Sequence, residues 1–254
     1  MVAGARTFAA ALSAKTGRQV RVHVAEDYAA LLRGLVTGGI ELGWMPPFLV
    51  AAAAEQGATL CAVCERNGSL TYRSAIVVRK DGALRTLDDL VGVRAAWVDR
   101  QSASGYVFPR LHLVAGGVDP KRAFASETFY GSPRAALSAV ADGQADLCGC
   151  FTSETHARSI ELTLADVARI YPAAYWRLRV LRVTDAIPSD GLVAGPHVDA
   201  DSRAVLTEGL CALHSFADGK RALDQLLFAD RLVAVDAEVE RLVARIRALL
   251  PLMR

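Results

Sequence analysis

What this chain lacks narrows its work before any motif is weighed. None of its 254 residues fall in an apolar run approaching the roughly 20 needed to cross a bilayer as a helix. No basic stripe is present. The 29 Lys and Arg against 27 Asp and Glu leave a formal charge of +2 with the signs well mixed. Neither nucleic acid nor an anionic membrane surface is indicated as a partner. There is no internal repeat, no low-complexity tract, no P-loop and no G-x-G-x-x-G fingerprint. Ser104-Gly105 is not in the G-x-S-x-G setting of a nucleophile elbow, and no His follows in an obvious strand-end loop as its base. Histidines 23, 112, 156, 197 and 214 show no metal-ligand spacing, and Asp142 to Asp146 lacks the oxygen spacing of a calcium loop. Neither a catalytic constellation nor a cofactor or metal site is expected.

Five cysteines are an odd number. Cys61-Ala-Val-Cys64 has a C-x-x-C spacing, but positions i and i+3 of a strand point to opposite faces and would not converge on one metal. Cys61 does not open a helix either, as a thioredoxin-type pair would. Buried, inert thiols are the expectation.

What is present is a globular composition: 52% hydrophobic and 22% charged residues, in a chain long enough for one large domain or two lobes. Met1 to Ala14 is too short and interrupted for a signal peptide and reads as an amphipathic helix stopping at Thr16-Gly17. Strand-like residues 19–24 follow, then a helix over 28–36 closed by Gly38-Gly39. A short strand over 41–44 is broken by Pro46-Pro47, a helix covers 48–56, and strands cover 59–64 and 72–79. Thr86 to Asp89 and Thr163 to Asp166 match capping boxes, and Ser132-Pro133 is a cap followed by proline at the first helical position. From Asp199 the chain is helical, ending in a helix over 237–250 stopped by Pro251. Alternating strands and helices imply mostly parallel sheets covered on both faces.

The most informative stretch runs from Trp97 to Pro109. The apolar run Val93–Val98 ends in Ser102-Ala-Ser-Gly-Tyr106, after which a helical pattern begins. Small hydroxyl residues and a glycine at a strand-to-helix corner leave N–H and O–H donors for an anion, in the positive field of a helix start. The plain alternative is a serine cap without a ligand.

Taken in order, these pieces resemble the substrate-binding proteins of phosphate, phosphite and phosphonate ABC transporters. The carrying residues are Thr16-Gly17, Tyr28 with residues 38–43, residues 72–77, 87–92, 102–106 with Pro109, 139–146 and 187–190. The resemblance implies a type 2 periplasmic-binding-protein-like α/β fold with two lobes, each a mostly parallel sheet flanked by helices, and a ligand cleft between them. Lobe 1 would comprise residues 1–79 plus 186–254 and lobe 2 residues 80–185, closing by a hinge. Family members open on a strand, so the resemblance also implies that an initial strand is missing ahead of the first helix.

The same resemblance implies the site. A small oxyanion, phosphonate- or phosphate-like, would sit on Ser102, Ala103, Ser104 and Gly105. Tyr72 would close on it, Trp44 and Pro46 would wall it, and Glu154 and Asp190 would receive a ligand amine. Two departures stand out: the family's anion-binding His after Gly-Ser is Pro133 here, and the tyrosine expected in the first-lobe strand gives way to Trp44-Met-Pro-Pro-Phe48. The implied role is a receptor that hands its ligand to a membrane permease, as a monomer and outside the cytoplasm. The lack of an export signal leaves a cytosolic form open. The rival readings are a cytosolic enzyme of cofactor biosynthesis on the same fold and a sensor domain split from its signalling module.

Overall fold

The computed structural model describes residues 2–249. The positions of Met1, Leu250 and the stop expected at Pro251 lie outside the described residues. In chain order the elements are α1 (Val2–Thr16), α2 (Tyr28–Thr37), β1 (Leu42–Met45), α3 (Pro47–Ala54), β2 (Thr59–Glu65), β3 (Thr71–Arg79), β4 (Val93–Trp97), α4 (Phe108–Ala115), α5 (Pro120–Ala123) and β5 (Phe124–Phe129). There follow α6 (Pro133–Ala141), β6 (Leu147–Ser153), α7 (Ile160–Ile170), β7 (Leu178–Val183), β8 (Ile187–Pro188), β9 (Gly191–Ala194), α8 (Ala200–Ala212), α9 (Ala217–Ala222), β10 (Arg231–Ala234) and α10 (Ala237–Leu249).

Two compact units result, one of residues 1–70 with 188–254 and the other of residues 71–187. β3 belongs to the second, whereas the sequence reading placed residues 72–79 at the end of the first lobe. Its alternate residues explain the assignment. Ala75 and Val77 enter the core with α6 and β6, and Ile76 and Val78 enter the core with Trp97 and Leu113.

The α/β class holds, but neither sheet is mostly parallel: the first is antiparallel and the second mixed. In the first unit the order is β1-β9-β2-β10, and every described pairing is antiparallel. β1 and β2, joined through α3, do run the same way, but the returning β9 is inserted between them in the opposite sense. The second sheet has order β5-β4-β6-β3-β7. Its β5-β4-β6 half is parallel and its β6-β3-β7 half antiparallel.

Three local expectations are corrected. Residues 19–24 form no strand among the described residues, and Val22 and Val24 are exposed. Alternation alone does not make a strand without a neighbouring edge. Thr163 to Asp166 is not a cap: it lies inside α7, which Ser159 caps by accepting the Leu162 N–H. Cys61 and Cys64 do share one core cluster, because the register slips between Leu60 and Ala62. A bulge adds one residue and undoes the alternation on which the opposite-face argument rested. All five cysteines are nevertheless free thiols.

Candidate functional site

The Ser102 corner is built by a succession of backbone captures. Asp99 bends the chain, its Oδ1 accepting the Gln101 N–H at 2.8 Å and its carbonyl the Ser102 N–H at 3.1 Å. Ser102 Oγ then accepts the Gly105 N–H at 3.1 Å. Residues Ala103–Val107 form a wide turn in which the Val107 N–H reaches back five residues to the Ser102 carbonyl at 3.0 Å, and α4 continues directly from it. Such π-type turns recur where helices carry functional groups. The N–H groups of Ala103 and Ser104, and Ser104 Oγ, find no acceptor among the described residues. A helix start leaves its first donors unsatisfied, and these are the donors an anion would take.

Glycine at two places lets the corner sit hard against the sheet. A Cβ on Gly105 would come within 2.4 Å of Val98 Cγ2. One on Gly149, at the middle of β6, would stand 2.6 Å from both the Ser104 carbonyl oxygen and Pro109 Cγ. The corner is tied down from β3 as well, where the fully buried Ser74 donates its Oγ–H to the Ser104 carbonyl at 2.7 Å. Ser74 and Gly149 drew no attention as site residues in the sequence. Their only mark there is their small size within strands, which many core positions share.

Around the corner, one edge of the second sheet gathers what the sequence proposed for that unit. The loops after β5, β4 and β6 follow one another along it, together with the start of β3, because the first three strands run parallel and β3 runs against them. The Tyr130 and Gly131 N–H groups bond the Trp97 and Val98 carbonyls, which sets the start of α6 beside the corner. Pro133 occupies the first position of that helix, with Ser132 as its cap. Tyr72 is buried, its ring 5.3 Å from that of Phe151. Glu154 is committed within the unit: its Oε1 takes Arg73 Nη2 at 2.9 Å and Nε at 3.0 Å, and its Oε2 takes the Thr71 hydroxyl at 3.2 Å. Arg100 stacks over Phe129, 4.7 Å from the ring centre.

The first unit does the same at one edge of its own sheet. Trp44 and Pro46 stand at the end of β1, Asp190 leads into β9, and Arg66 follows β2. Pro46 opens α3, its carbonyl accepting the Leu49 and Val50 N–H groups. Asp190 Oδ2 pairs with Arg66 Nη2 at 2.9 Å, and that guanidinium also donates to the carbonyls of Leu227 and Phe228. The two proposed amine acceptors are therefore both bonded to arginine.

Three buried polar atoms in these stretches lack a partner among the described residues: Trp44 Nε1, Gln101 Oε1 and Ser189 Oγ. His156 is a different case. Its Nδ1 lies 3.0 Å from Asp166 Oδ1, outside hydrogen-bond geometry. Asp166, 3% exposed, is otherwise saturated by the Thr152 hydroxyl and the Ser153 N–H. The group ties α7 to β6. Among the described residues no cluster of His, Cys, Asp and Glu could hold a metal ion.

The cysteines are chemically quiet. Burial pushes the Cys64 and Cys150 thiols up to about 12 and Cys148 well above its ordinary value.

A family model described as "ABC transporter, phosphonate, periplasmic substrate-binding protein" matches residues 1–239. The chain is 25% identical to the phosphate-import protein PhnD of Mycolicibacterium smegmatis over 224 residues, covering 79% of this chain and 68% of that protein. It is 25% identical over 185 residues to the phosphonates-binding periplasmic protein of Escherichia coli, covering 70% of this chain and about half (52%) of that relative's length. The structure of PhnD1 from Prochlorococcus marinus in complex with methylphosphonate matches with a TM-score of 0.79 at 20% identity, covering 97% of this chain and 91% of that one. At that identity the match speaks for the fold. None of these matches supports the enzymatic alternative.

Proposed function

This chain belongs to the family of periplasmic phosphonate-binding proteins of ABC transporters, and from that premise we propose that it is the receptor for a small phosphonate- or phosphate-like oxyanion, held at the Ser102–Gly105 corner. The observation that carries this reading is the set of unspent donors on Ala103 and Ser104 at a helix start where Ser102 already takes the Gly105 and Val107 N–H groups. Neutral amides and hydroxyls can replace the hydration of a dianion when several converge and the helix field adds to them. Tyr72, on the strand that anchors the Ser104 carbonyl, is the candidate lid aromatic. Trp44 and Pro46 in the first unit are candidates for further ligand contacts.

The Arg73–Glu154 and Arg66–Asp190 pairs bear on ligand choice. A carboxylate already bonded to a guanidinium is a weaker magnet for an ammonium group, so the reading favours a ligand without an amine. The receptor acts outside the cytoplasmic membrane, as a monomer, and passes its ligand to a permease.

Calorimetry with phosphate, phosphite, methylphosphonate and an aminoalkylphosphonate tests the proposal. One of the amine-free oxyanions should bind, and Ser104→Ala should weaken it by about 1–3 kcal/mol, the worth of a hydrogen bond to a charged group. Unchanged affinity in that variant would remove the corner from the site.

A further inference from the structure

On the second unit, away from the edge that carries the corner, one buried polar group has no role in the preceding argument. Arg179 of β7 pairs in register with Val78 of β3, so its side chain shares that residue's sheet face. Val78 and Leu181 lie in the core cluster on this face, and Leu84 and Leu87 pack against the same cluster. The segment carrying Arg85 therefore runs over the face from which Arg179 projects. Arg179 Nη2 is buried and has no hydrogen-bond partner among the described residues. Burial and the positive charge of Arg85 both disfavour its charged form.

Of the described ion pairs, none includes Arg85 or Arg179. Arg85 donates from Nη1 to the carbonyls of Gly82 and Leu84. Asp89, four residues on, has its Oδ2 engaged by the Arg85 and Thr86 N–H groups and the Thr86 hydroxyl. Asp81 is bound to Arg79. Two like charges have been brought together on one face, with a buried donor left over. A buried guanidinium donor without an acceptor is costly, and an oxygen acceptor bearing negative charge offsets that cost and the repulsion between the two arginines together.

We propose that Arg85 and Arg179 form a second oxyanion site, for a small tetrahedral anion such as sulfate or phosphate, separate from the Ser102–Gly105 corner. The exposed Arg85 swings on its stem to admit the anion, whose oxygens then accept from Arg179 Nη2 and from Arg85. The site needs no part of the corner, so each can fail without the other.

The test uses the whole chain and sodium sulfate, with sodium chloride at matched ionic strength as control. In 15N–1H spectra the Nε–Hε signals of Arg85 and Arg179 should shift saturably with sulfate and not with chloride. Wild type and Ser104→Ala should gain melting temperature in sulfate over chloride, by roughly 2 °C or more at tens of dissociation constants. Arg179→Met keeps the apolar stem and removes the orphaned donor. It should melt no lower than wild type in chloride and lose the sulfate gain, with at least tenfold weaker sulfate binding. Arg85→Ala gives an independent reading should the first variant misfold, and it too should lose the gain. Arginine signals that respond equally to both salts, or a sulfate gain preserved in Arg179→Met or Arg85→Ala, would overturn the proposal.

Discussion

Gly149→Ala is the sharpest test of how the corner is held. The added methyl carbon would lie 2.6 Å from the Ser104 carbonyl oxygen, 2.6 Å from Pro109 Cγ and 3.3 Å from the Gly105 carbonyl carbon. Ordinary contacts need about 3.5–4.0 Å, so the turn must retreat from β6 by roughly 1 Å. None of the three atoms belongs to a flexible side chain that could swing aside. Retreat also stretches the 2.7 Å bond from Ser74 Oγ to the Ser104 carbonyl, whose donor has no exposure to water. Overpacking of this kind costs about 1–3 kcal/mol, and loss of the bond adds about 0.5–1.5 kcal/mol. At about 2–4 °C per kcal/mol for a chain of this size, the melting temperature should fall by roughly 5–15 °C. The donors of Ala103 and Ser104 move with the turn, so oxyanion affinity should drop about tenfold or more, or about 1.4 kcal/mol. Thermal melts followed by circular dichroism, paired with calorimetry on methylphosphonate or phosphate, read both effects. A variant that melts within about 1 °C of wild type and binds as tightly would show that the close approach does not fix the corner.

Two further outcomes follow from the titratable groups. Hydrogen bonds from Arg94, the largest cause, hold the Asp146 carboxyl below its ordinary value. Its stabilisation is therefore full above about pH 4, the unfolded value, and is lost as pH falls through the lower folded one. Asp146→Asn should lower stability at neutral pH by at most about 1 kcal/mol, since the pair is partly exposed, and denaturant curves of the two proteins should converge toward pH 2. A difference that persists unchanged into acid would refute the ion-pair account. For the thiols, a chromogenic disulfide reagent at pH 8 should leave Cys64, Cys148 and Cys150 unmodified in the native protein and titrate all five cysteines in denaturant. Rapid native labelling of Cys64 or Cys150 would contradict their burial.

The capping at the candidate corner was legible because its chemistry is local. Ser102 caps the N–H three residues on, and the same side chain that marks the helix start in sequence performs the cap in the structure. Ser132 before Pro133, and Thr86 with Asp89, were readable for the same reason. The failures share a cause as well. Thr163 and Asp166 have the cap's spacing but spend their groups on His156, Thr152 and Ser153, partners that only the packing of α7 on β6 supplies. The proposed roles of Glu154 and Asp190 took no account of Arg73 and Arg66, which reach them from other strands and loops.

The sequence by itself determined the alternation of helices and strands and the capped corner after β4, since periodicity and capping act over a few residues. Tertiary structure alone decided that β9 runs between β1 and β2 to make an antiparallel sheet, that a bulge turns Cys61 into the core of Cys64, and that Gly149 and Ser74 seat the corner. Those outcomes depend on which distant backbones lie within a few ångströms of each other, and no window of neighbouring residues encodes that distance.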